Sequence, residues 1–301
     1  MNIDWARYDW GARYPAEPIL DLPIPGGSAW PTGHVVVVDG TTSDEAGRIP
    51  LQRLPGRYAL PSQLARATEP AFSAFKARYG QRALFDGRIV KLVAREDRLA
   101  WQEAGYFDYV RSNLLLDETG LRDAVHAAGR LEPLGDSVLA NGIGLNLQLL
   151  TADGRLVAQR RAAGMAVWPA VWGPGAAGMA EPVDLDGVAR LCDLRPWREI
   201  NEELGVPEAA LAGAPMRFLG LTRELARGGS PELHWAIRLP LDGAALFAGL
   251  GRARDGHELE GIRLLDPDDP GRSLDVLQAG ASGCLLAGWA LLLKAGGSRA
   301  V

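Results

Sequence analysis

A mixed α/β fold is predicted for these 301 residues, and three observations predict it. Strand-like runs closed by turn residues recur in both halves of the chain. Stretches with apolar residues at helical spacing lie between them. Apolar residues make up 47% and charged residues 23%, a balance that suits a packed core and argues against global disorder. This length allows two domains or one large one.

Taken in order, "GHVVVVDG" (33–40) is a β-branched run closed by Asp-Gly, a strand and turn. "PSQLARATEPAFSAFKARYG" (61–80) reads as helix, with Ala71, Phe72, Phe75 and Tyr79 at helical spacing and Gly80 as its stop. "GRIVKLVARED" and "RLAWQEAGYFDYVRSNLLL" continue the mixed pattern to Leu116. The chain loosens around 127–137, which divides it into an N-terminal α+β domain, 1–135, and a second domain, 136–301. "VLANGIGLNLQLLTADGRLVAQRRA" gives two strands around the turn Ala152-Asp153-Gly154. "AVWPAVWGPGAAGMAEP", rich in Gly, Pro and Trp, reads as an irregular loop. A short helix follows in "RPWREINEELGV", then two strands, "PMRFLGLTREL" and "PELHWAIRLPL", joined by 226–230. A helix (244–250), a strand ("HELEGIRLLD") and an apolar helix (279–294) complete the chain.

Composition excludes several classes. With 32 Lys and Arg against 37 Asp and Glu, the net charge of −5 argues against a nucleic-acid-binding face, which needs clustered cations. Cys192 and Cys284 are too few for a disulfide framework. The first ten residues lack the basic and apolar regions of a secretory signal. "CLLAGWALLLKA" is about half the roughly 20 residues that cross a bilayer. The chain reads as a soluble cytoplasmic protein with no membrane and no nucleic-acid partner.

The chemistry concentrates in 195–206. On a helix, Glu199, Glu202 and Glu203 fall within about 100° of one another, while Trp197, Ile200 and Leu204 face the other way. Pro196 suits the first turn and Gly205 the position past the end. Three crowded acids repel, and Arg198 pairs with Glu202 but cannot neutralise all three. A divalent cation can, and Mg²⁺ favours carboxylate oxygens. A solvated acidic face is the plain alternative.

"REINEELGV" fits R-E-U-x-E-E-x-G-U, with U aliphatic, at every specified position, and so resembles the second half of the Nudix hydrolase signature. The first half, G-x5-E-x7, is altered. Gly178 and Asp184 keep the first spacing with Asp for Glu, but thirteen residues, 185–197, stand where the pattern has seven. The insertion "LDGVARLCDLRP" is expected to hold an extra helical turn ending before Pro196. Asp184 is then either part of the site or only a helix cap.

The resemblance covers roughly 138–301. It implies an α/β/α sandwich with a mixed sheet, preceded by the smaller N-terminal domain, and a metal-dependent hydrolase. The substrate would be a small-molecule diphosphate, such as a nucleoside diphosphate linked to another group. It implies metal ligation by the Gly178 carbonyl and by Glu199, Glu202 and Glu203, with Mg²⁺ as cofactor and Mn²⁺ as the alternative. Arg198 would orient one glutamate. The catalytic base would be a glutamate of the helix or an acid on a separate loop. Glu232 and Glu224, which flank the turn "LARGGSPELHW", are candidates, with surface strand-end charge as the other reading. A non-catalytic binding module on the same fold is the alternative function. An isoprenyl diphosphate isomerase is disfavoured because neither cysteine stands in the strands before the box.

Six further features are weaker. Arg160 and Arg161 are candidates for phosphate contact, or an exposed strand-end pair. Trp168 and Trp172 are candidates to stack on substrate, or to anchor the loop. His234 either touches substrate or packs against Trp235. His34, His126, His234 and His257 are far apart and match no zinc spacing. Cys192 is expected to be buried and inert. The N-terminal domain is left three roles: covering the site, substrate choice, or homodimer formation.

Overall fold

The computed structural model describes residues 9–80, 85–95, 98–277 and 280–301. Most of the first ten residues and Ala279, the expected start of the last helix, lie outside them.

Twelve strands form two sheets among the described residues. They are β1 (Ile19–Ile24), β2 (Ser28–Asp39), β3 (Leu51–Arg57), β4 (Arg88–Arg95), β5 (Arg98–Gly105) and β6 (Gly144–Leu150). Then come β7 (Leu156–Arg161), β8 (Trp172–Gly173), β9 (Ala176–Met179), β10 (Met216–Glu224), β11 (Ser230–Arg238) and β12 (Leu259–Leu265). The larger sheet runs β1-β2-β10-β11-β6-β7-β12, with β8 added to β7 and β9 to β6. β11 and β6 are parallel and its other pairs antiparallel, so the sheet is mixed, as expected. The smaller sheet runs β3-β5-β4.

Side-chain alternation along each strand separates two cores. Leu233, Trp235 and Ile237 of β11 join Leu145, Leu147 and Leu149 of β6, and against them pack Ile200 and Leu204 of the helix Trp197–Leu204. The smaller sheet adds Val90, Leu92, Leu99 and Trp101 to this same core. On the opposite face, Ala236, Leu219 and Ala158 meet Leu285, Trp289 and Leu292 of the C-terminal helix Gly283–Lys294. That helix is apolar on nearly every side because the sheet, β1 and the helix Pro270–Leu277 enclose it.

β6 and β7 form the expected antiparallel pair, but they meet only at Leu150 and Leu156 and then part. β9 follows β6 and β8 follows β7 into the gap. The Gly- and Pro-rich stretch read as irregular therefore carries two short strands. A split in the sheet lets a cavity reach side chains from both of its faces.

Two departures from the sequence reading concern the first third. β1 and β3 were not foreseen; Leu20, Leu22 and Ile24 of β1 alternate with Asp21 and Pro23, and a proline within such a run argues against a strand. The large sheet also ignores the division at 135, since β2 pairs with β10 from Gly220/Asp39 to Glu224/His34. Among the described residues no helix is long and apolar enough to cross a membrane.

Candidate active site

The acid helix is set by local rules. Gly205 adopts φ +67° and closes the helix by donating its N–H to Asn201 O, as its place after the last apolar residue predicts. The preceding insertion folds as predicted into an extra turn, Leu191–Asp193. Ile200 and Leu204 are fully buried, which fixes the face that carries the acids.

That face is not solvated. Glu199, Glu202 and Glu203 are buried, at 6%, 9% and 7% exposure, and all three line a cavity of about 740 Å³. Arg198 donates to Glu199 Oε1 at 2.7 Å and to Glu202 Oε2 at 3.0 Å. Its guanidinium also forks onto both oxygens of Asp184, at 3.0 and 2.7 Å. Arg254, a mostly exposed side chain, takes Glu202 Oε1 at 2.9 Å. Glu203 Oε2 accepts from Gln159 Nε2 at 2.8 Å and from the Ala177 N–H at 2.9 Å.

Burial raises the Glu199 carboxyl to about 8, against the pull of Arg198 and with the push of its acidic neighbours. Burial likewise raises Glu203 to about 7. The two are costly to ionise in the folded protein unless a cation arrives.

Gly178, on β9, lies under this cluster. A Cβ placed there would sit 2.1 Å from Glu199 Oε2, so only glycine lets that carboxylate approach the backbone. Asp184 does two things. It closes a capping box with Glu181 on the short helix Pro182–Leu185, and it holds Arg198. Asp184 is not among the residues lining the cavity, so of the two readings, part of the site or helix cap, it is the cap and also positions Arg198.

The facing wall comes from β10, β11 and their turn. Glu232 lines the cavity and is fully buried, its Oε2 accepting from Asn146 Nδ2 at 2.6 Å and its Oε1 from Arg227 Nη2 at 2.6 Å. Burial pushes it up to about 8 despite Arg227. Glu224 is also fully buried and bonds Arg227 Nε, but it is not among the cavity-lining residues. Neither acid is a surface strand-end charge. Of the two, only Glu232 faces the cavity.

The remaining candidates divide. Arg161 and Trp168 line the cavity. Arg160, one residue earlier on β7, points to the other face and meets Glu260 at 3.5 Å on the surface, so it is not a phosphate contact. Trp172 is buried in the second core with Arg263 over its ring, an anchor and not a stacking platform. His234 is fully buried, 2.9 Å from Thr222 Oγ1 and edge-on to His34, and it does not reach the cavity. The two histidines, distant in sequence, are thus neighbours in the fold. Cys192 is half-buried, not buried.

Sequence reasoning missed Arg227, Asn146, Gln159, Arg254 and Cys284, all of which line the cavity. Cys284 reaches the cavity from the first turn of the C-terminal helix, not from the strands before the box. Only Arg227 left a signal, as the one cation in a turn flanked by two acids.

No protein-family model matches the chain, and no curated protein matches it. Solved structures similar to it include DR0079 from Deinococcus radiodurans, at 16% identity and TM-score 0.35, covering 50% of this chain and 80% of that one. Another is a Nudix hydrolase from M. Smegmatis, RenU, at 14% identity and TM-score 0.31, covering 51% of this chain and 85% of that one. At those identities and scores they carry no activity over to this chain.

Proposed function

We propose that the protein is a metal-dependent hydrolase of the Nudix type that cleaves a diphosphate linkage in a small organic molecule. One observation supports this above the others: three buried carboxylates crowd one wall of an open cavity with too little positive charge to balance them. Arg198 is divided among Asp184, Glu199 and Glu202, and Arg254 reaches only Glu202.

The donor types suit a hard divalent cation such as Mg²⁺. The donors are oxygens, Gly178 leaves room for the Glu199 carboxylate, and Glu199 and Glu203 each keep an oxygen beyond those bonded to protein. The Gly178 carbonyl, Glu199 and Glu203 would hold the ion, joined by Glu202 once exposed Arg254 swings aside. Such an ion offsets diphosphate charge and makes a coordinated water acidic enough to attack at neutral pH.

The chain's own groups do the rest. Arg161 and Arg254 line the cavity with N–H donors for phosphate oxygens. Glu232, held by Asn146 and Arg227 and facing the cavity, is placed in its ionised form to take the proton of an attacking water. Attack at phosphorus then depends on positioning and on charge stabilisation.

The test is phosphate release from a panel of organic diphosphates, with and without Mg²⁺. Turnover is expected to require the metal and to fall by about 10²-fold or more in Glu202→Gln and in Glu203→Gln. A wild type that hydrolyses nothing on the panel, yet is thermally stabilised by a diphosphate, would instead mark a binding module.

A further inference from the structure

A second group of ligating atoms lies behind the Glu232 wall. His34 on β2, Glu224 at the end of β10 and Cys284 in the C-terminal helix bring one nitrogen, one oxygen and one sulfur within 4.8 Å of one another. All three residues are buried, and they come from three separate elements.

Two of their atoms lack partners. His34 Nε2 and Glu224 Oε1 are buried with no hydrogen bond, and a buried polar group left so is destabilising. His34 Nε2 faces the start of the C-terminal helix, 3.2 Å from where a Cβ on Gly283 would stand. Its Nδ1 is 2.9 Å from Thr222 Oγ1, which is also 2.9 Å from His234 Nε2. If His34 Nδ1–H donates to Thr222 and Thr222 donates to His234, a lone pair is left on His34 Nε2. That is the arrangement of a metal-ligating histidine, whose other ring nitrogen donates to a fixed acceptor.

Charge points the same way. Glu224 and Glu232 share the single guanidinium of Arg227, so with both acids ionised one negative charge would be in excess. A Cys284 thiolate would make the excess two, which one divalent cation cancels. Arg227 bonds Glu224 through Oε2, which Cys284 Sγ also approaches at 3.7 Å, and Oε1 is left without a hydrogen bond.

We propose that His34, Glu224 and Cys284 form a second metal site, separate from the acid helix, that takes Zn²⁺. One nitrogen, one thiolate and one carboxylate suit Zn²⁺ and do not suit Mg²⁺. On binding, the Cys284 S–H bond breaks, its proton leaves to solvent and a zinc–sulfur bond forms. Three protein ligands leave a fourth position, and since Cys284 lines the cavity, water or substrate can reach it. The site ties an N-terminal strand to the C-terminal helix.

The proposal does not rest on the hydrolase reading, and its test needs no turnover. The full chain is stripped of metal with a chelator, supplied with excess Mg²⁺ to occupy the acid helix, and titrated with Co²⁺ as a spectroscopic stand-in for Zn²⁺. One equivalent is expected to give a thiolate-to-cobalt charge-transfer band that Zn²⁺ abolishes. Cys284→Ser should lose the band, Cys192→Ser should keep it, and His34→Gln should weaken Zn²⁺ binding about 100-fold or more. No band in the wild type overturns the site, as does a band lost with Cys192 and kept without Cys284. Should Cys284→Ser fail to fold, unchanged Zn²⁺ affinity in His34→Gln and Glu224→Gln overturns it equally.

Discussion

The two walls of the cavity solve the same electrostatic problem differently. On the β10–β11 wall, Arg227 lies fully enclosed between Glu224 and Glu232, with Tyr109 and Cys284 completing its surroundings. On the acid-helix wall, partly exposed Arg198 is shared by Asp184, Glu199 and Glu202, and Glu203 receives only an amide side chain and a backbone N–H. The first wall is nearly balanced from within. On the second, burial opposes the ionisation of Glu199 and Glu203, and a cation from solution would let both ionise.

The largest effect on stability should come from removing Arg227. Arg227→Ala leaves two buried carboxylates without their shared cation, and such losses cost about 3–5 kcal/mol. Arg198→Ala should cost less, about 1–2 kcal/mol, because that arginine is partly exposed and water screens what it leaves behind. Urea unfolding of both variants measures the gap, and equal losses would erase the distinction between the walls.

These two arginines also show how far the sequence could be read. The acid helix was legible because its stop, its apolar stripe and its acid spacing are all local. The mixed sheet was legible for the same reason, through turn signals and alternation. Burial of the acids was not, since it depends on Gln159 of β7, Ala177 of β9 and Arg254, before β12, meeting them from elsewhere in the chain. Arg160 and Arg161 look alike in sequence, yet adjacent strand residues face opposite ways, and only Arg161 reaches the cavity. Trp168 and Trp172 separate similarly, the first in a loop at φ +54° and the second locked in β8. His34 and Cys284 stand 250 positions apart, and no spacing rule joins them.

A smaller effect sharpens the comparison through pH. Glu199 and Glu203 hold their protons up to about 8 and 7 in the folded chain, against about 4.3 for an unfolded glutamate. Between these values the folded state binds more protons than the unfolded one, so its stability falls as pH rises. Without divalent cations the urea midpoint should decline from about pH 5 to about pH 8, more gently in Glu203→Gln. Saturating Mg²⁺ should restore more stability at the high end than at the low end. A flat profile in the wild type would mean that the acids are already balanced.

The central claim is that the acid helix needs a cation, and calorimetric titration of Mg²⁺ into the chain at about pH 8 tests it most directly. The account predicts saturable binding by the wild type that weakens about tenfold or more in both Glu199→Gln and Glu203→Gln. Absence of Mg²⁺ binding by the wild type, or binding that neither substitution alters, would contradict it.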